Sequence, residues 1–104
     1  MDTFSIFLDP LQVLFATLKS RAPMIYPVQV RAARSLLGMG QEELARLASM
    51  SVVTVKRLEA AGTEMRGSAK TMSRIQRALE SAGIIFIDQD DTNGPGVRLK
   101  RPIP

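Results

Sequence analysis

The chain has 104 residues, 45% apolar and 23% charged, the size and balance of one globular domain with short extensions. With no cysteine and no histidine it lacks disulfide frameworks, thiolate zinc sites, Cys and Ser/His nucleophile systems and imidazole ligation of haem, so neither an enzyme nor a metal or cofactor site is expected. Fourteen Lys and Arg outnumber ten Asp and Glu, a net charge of +4 that points to an anionic partner.

The first segment, 1–27, carries Phe4, Phe7, Leu8, Leu11, Leu14, Phe15 and Leu18 on one helical stripe. Asp9 before Pro10, with Gln12 three residues on, has the form of a capping box with proline at the first helical position, so a helix is expected from about Pro10 to Ser20. Such a helix is too short to hold alone. It must pack on the rest of the chain, on a second copy, or on another protein through the Phe4 to Leu18 face. Its polar side lacks basic residues and no apolar run reaches the roughly 18 residues that cross a bilayer, so no membrane association is expected. Asp2 stands where a secretory leader carries Lys or Arg, and a cytoplasmic protein is therefore expected.

The second segment, 28–83, holds all the excess charge. Between Pro27 and Asp88 nine cations (Arg31, Arg34, Arg46, Lys56, Arg57, Arg66, Lys70, Arg74 and Arg77) face five glutamates, while the two ends are each neutral. Val30, Ala33, Leu36 and Leu37 give a first helix that stops at Gly38. Gln41 to Ala48 gives a second, with Leu44, Ala45 and Ala48 on one stripe and Glu42 and Glu43 in its first turn. After Ser49 and Met50, Ser51 offers an N-cap to a third helix in which Val55 and Leu58 face inward, ending near Gly62. Thr71 offers a cap to a fourth, with Ile75, Leu79 and Ala82 inward and Gly83 at its close. In the third segment, 84–104, Ile84 to Ile87 and Val97 to Lys100 read as a β-hairpin around a loop rich in Asp, Gly and Pro. The expected fold class is thus mainly α, a compact four- to five-helix domain with a C-terminal β-hairpin.

The run Gln41-Glu-Glu-Leu44-Ala45-Arg-Leu-Ala48, a short turn, then Ser51-Val-Val-Thr-Val55-Lys-Arg-Leu58-Glu59 resembles the Xre-type, lambda-repressor-like helix-turn-helix of small bacterial transcription regulators, over about sixty residues from Val28 through the fourth helix. The resemblance implies a third helix that enters the DNA major groove while the second crosses the backbone. Ser51, Val53, Thr54, Lys56 and Arg57 then face outward as base-edge or phosphate contacts, with Val52 near the boundary. Arg57 suits a bidentate contact to guanine, and Lys56 suits a base or a phosphate. Many members carry an amide where Val52 stands; here valine either meets a thymine methyl or packs under the second helix. By the same resemblance the Gln41 amide binds a phosphate at the start of the second helix, and Arg34 and Glu59 form an ion pair that sets the angle of the third. Arg66 and Lys70 are further phosphate candidates of low specificity.

Two other motifs fail on their spacing. Gly38-Met39-Gly40 has neither the third glycine nor the preceding strand of a nucleotide loop. Asp88 to Gly94 hints at a calcium loop, but Leu99 stands where the glutamate belongs, and an acidic Asn-Gly turn explains it better.

A two-stranded hairpin is marginal alone. Either Ile84, Ile85, Phe86, Ile87, Val97 and Leu99 pair with their mates in a second protomer, or the hairpin folds back on its own domain. The expected function is a homodimeric, sequence-specific regulator on double-stranded DNA, its two reading helices set for an inverted repeat. An antitoxin that binds a toxin through one apolar end, and a protein-binding module without DNA contact, are the alternatives.

Overall fold

The computed structural model describes residues 10–11, 25–61 and 68–104. Among them are four helices, α1 (Pro27–Leu37), α2 (Gln41–Leu47), α3 (Val52–Glu59) and α4 (Ala69–Ser81), and an antiparallel pair of strands, β1 (Ile84–Ile87) and β2 (Gly96–Leu99). Pro10 and Leu11 are helical; the rest of the expected amino-terminal helix, with its Phe4 to Leu18 face, lies outside the described residues. Among the described residues no helix is long and apolar enough to cross a membrane.

α1 starts one residue earlier than the segment boundary drawn from sequence, with Pro27 at its first position. Proline suits that place because its missing N–H would have no helical acceptor there. Gln29, two residues on, accepts the Tyr26 N–H at its Oε1, 2.8 Å away. At the other end Gly38 takes a left-handed conformation, φ 63°, and the Met39 N–H closes on the Arg34 carbonyl at 2.9 Å. Leu36 departs from the expected stripe and is 45% exposed. Val30, Ala33 and Leu37 are spaced i, i+3, i+7, whereas Leu36 lies about 100° round the helix from Leu37.

Ser49 repeats the Gly38 closure without glycine. Its φ is 57°, and the Met50 N–H reaches back to the Ala45 carbonyl at 2.9 Å. This turn brings α2 and α3 together steeply, with Leu44, Ala45 and Ala48 of one against Val55 and Leu58 of the other in a shared core. Ser51 caps α3 as expected, its Oγ accepting the Thr54 N–H at 3.2 Å. The helix ends at Glu59, before Gly62, which is outside the described residues. The cap of α4 is Ser68, whose Oγ accepts the Thr71 N–H at 3.1 Å; Thr71, the residue named for that role from sequence, is its partner three positions on.

The hairpin folds back on its own domain. Ile84 pairs with Leu99 and Phe86 with Val97, and all four face the helices: Ile84 is buried in the core and the other three pack against it. These four were assigned from sequence to a dimer contact; period-two alternation gives them to the chain's own core instead. Ile85 and Ile87, on the opposite face, are 39% and 42% exposed. Gln29 holds the loop end of the hairpin: its Nε2 donates to the carbonyls of Gly96 at 2.9 Å and Ile87 at 3.3 Å, and the residue is almost wholly buried. Across the tip, the Asp90 carboxylate accepts the Thr92 and Asn93 N–H groups at 2.8 and 2.7 Å, an Asx turn that holds its pKa below the usual carboxylate range.

Candidate functional site

The α2–turn–α3 unit carries three cations, Arg46, Lys56 and Arg57, against three glutamates, and its geometry is tightly constrained. The constraint centres on Glu59, the last residue of α3, which is 3% exposed. A buried carboxylate is tolerated only with partners for its charge and lone pairs. Arg34 of α1 supplies a fork, Nε to Oε2 at 2.6 Å and Nη2 to Oε1 at 2.7 Å, while its Nη1 donates to the Met39 carbonyl at 2.9 Å. Gln41, the first residue of α2, donates its Nε2 to Oε1 at 3.0 Å. Arg31, one turn before Arg34, donates to the Glu59 main-chain carbonyl, one of the end carbonyls of α3 that lack a helical partner. Three helices therefore meet on one residue. The bond to Glu59 pushes the Arg34 guanidinium above its already high value; partial burial works against this, and the glutamate's charge adds to the rise.

The anchor leaves the opposite side of α3 free. Ser51, Val53, Lys56 and Arg57 are exposed, Val53 by 57%. Among the described residues neither Lys56 nor Arg57 has an ion-pair partner. Two cations thus project together from a short helix whose cap and far end are both held. Thr54 is half-buried, its hydroxyl 2.9 Å from that of Ser51. Val52 is half-buried and packs against the core, so of its two readings the packing one is observed.

The remaining expected contacts fall differently. Gln41 is half-buried at the head of α2, with its amide engaged by Glu59 and not extended toward solvent. Lys70 is exposed in the first turn of α4, and Arg66 lies outside the described residues. Arg34 and Glu59 pair as the sequence suggests. Arg31 and Gln29 were missed, although both left a trace. Arg31 lies three residues before Arg34 and hence on the same helix face, and Gln29 holds the third helical position after Pro27, where a side chain can reach back to the cap.

The exposed side of α3 is a cationic, hydrogen-bonding surface of Lys56, Arg57 and the Ser51 and Thr54 hydroxyls, with Glu42 and Glu43 exposed at the head of α2. No protein-family model matches the chain, and no curated protein sequence matches it.

Proposed function

We propose that the chain is a sequence-specific, double-stranded DNA-binding transcription regulator with an Xre-type, lambda-repressor-like helix-turn-helix, α2 and α3 forming the motif. The observation that carries this reading is the combination of an anchored α3 with outward Lys56 and Arg57 that have no ion-pair partner among the described residues. A helix that reads base edges needs its position held closely and its donors left outward, and the Glu59 anchor and the Lys56/Arg57 face suit both needs. In this reading Arg57 takes a guanine, Lys56 a base or phosphate, Val53 a thymine methyl, and Ser51 and Thr54 polar contacts at the entering end. Gln41 reaches a phosphate by exchanging its Glu59 partner for it.

The protein acts as a cytoplasmic homodimer on an inverted repeat, using the outer hairpin face of Ile85 and Ile87. Selection of bound sequences from random duplex DNA, with a solution mass on the same preparation, tests both statements. An enriched inverted repeat and a doubled mass are expected. A selected pool no different from the input, at low salt, would sink the DNA reading and promote a protein-binding module on the same fold.

A further inference from the structure

Lys70, Arg74 and Arg77 are spaced four and three residues apart on α4, so they leave the helix within an arc of about 60°. All three are exposed, opposite the buried Met72, Ile75 and Leu79. An amphipathic helix places cations toward solvent in any case. Two observations set this stripe apart. The Arg74 guanidinium donates to the carbonyl of Ser49, the left-handed residue of the turn that leads into α3, which ties the stripe to the entering end of that helix. Arg74 and Arg77 also line a shallow groove with Leu47, Ala48, Ala78 and Ser81, to which no carboxylate contributes. Among the described residues the glutamates of the helices are engaged or placed elsewhere: Glu59 sits inside its anchor, Glu80 accepts Gln76 Nε2 at 3.2 Å, and Glu42 and Glu43 occupy the other end of α2.

We propose that Lys70, Arg74 and Arg77 form a second track for DNA, gripping successive phosphates of one strand beside the groove that α3 enters, with exposed Leu47 against a deoxyribose. This rests on the DNA reading above and adds to it a surface outside the α2–α3 motif. Lys70 and Arg77 are seven residues apart, a rise of about 10 Å, within side-chain reach of three successive phosphates, which span two steps of about 3.4 Å along the DNA axis. Phosphate contacts position a protein without reading bases, so the track sets affinity and register and leaves sequence preference to α3.

The test is titration of short fluorescent random-sequence duplexes with the full chain over a range of salt, together with sequence selection for each variant. Arg74→Gln/Arg77→Gln lowers the log–log salt slope by about 1.8, at about 0.9 per lost phosphate contact, and leaves the selected sequence unchanged. Arg74→Lys/Arg77→Lys keeps the slope. Arg98→Gln/Arg101→Gln, which removes the same net charge from the hairpin and tail, keeps it as well. A glutamine pair at 74 and 77 that matches the parent's slope, or falls no further than the pair at 98 and 101, overturns the track; so does a loss of self-association with the slope intact, which makes the stripe a protein contact. If the parent chain ignores duplex DNA at low salt, the functional reading fails and the track with it. If the parent binds and Arg57→Ala alters the selected sequence while the glutamine pair changes nothing, only the track falls. Circular dichroism of each variant confirms that the helices persist.

Discussion

Glu59 shows how one side chain connects stability to function. Its carboxylate is nearly dry, so removing Arg34 strands a charge in the interior. Arg34→Met is expected to cost about 3 kcal/mol in urea unfolding, and Arg34→Met/Glu59→Leu to recover most of that, because an apolar pair of similar volume avoids the desolvation of both ions. The double variant separates the two roles of the network: stability returns, but with the grip on α3 gone, DNA affinity does not. Ser49 offers a second residue-scale test. A side chain in the left-handed region carries about 1 kcal/mol of strain, partly offset because glycine loses more entropy on folding. Ser49→Gly should therefore raise the melting temperature, with a gain of less than about 1 kcal/mol. The Arg34–Glu59 pair was legible through the family resemblance and not from spacing, and the strain at Ser49 was not legible at all. The acidic and basic partners are 25 residues apart, and nothing in a Ser-Met-Ser run announces a positive φ.

At the scale of elements, apolar periodicity located all four helices and both strands, because each element buries one face and the spacing of that face is its signature. Ends were less legible. Ser68 and Thr71 both suit a cap, and the choice falls to whichever lets Met72, Ile75 and Leu79 meet the core. From sequence the hairpin either contacts a second protomer or folds back on its own domain; Ile84 and Phe86 are used internally, which leaves Ile85 and Ile87 on the outer face. The turn between the strands makes its own prediction. Because hydrogen bonds from Thr92 and Asn93 lower the pKa of Asp90 in the folded chain, its stabilising effect is complete above the ordinary aspartate value of about 4 and lost as pH falls through the lower folded value. Amide protection at Thr92 and Asn93, relative to the intrinsic exchange rate at each pH, should be lost in acid before the helices respond. A uniform loss across the domain would contradict it.

For the whole molecule, the candidate site was more legible than its support. Lys56 and Arg57 follow from helical spacing alone, whereas Gln29, Arg31 and Arg74 act on carbonyls that only tertiary folding brings within reach. Self-association is expected to depend on the outer hairpin face: Ile85→Lys/Ile87→Lys should yield a monomer by sedimentation with an unchanged helical circular dichroism spectrum. A dimer that persists in this variant moves the contact elsewhere. Gln29→Leu should cost about 2 kcal/mol, measured by thermal unfolding, since it orphans the Tyr26 N–H and two strand carbonyls at once.

The reach of that glutamine has a bearing on synthesis. Gly96 leaves the ribosome 67 residues after Gln29, so through most of translation the nascent helices hold an amide without its acceptors and an apolar flank without its cover. The fold is completed late, and a transcript cut short before codon 96 would release a chain whose helices are all encoded but whose interior stays open to water, a ready substrate for chaperones and proteases.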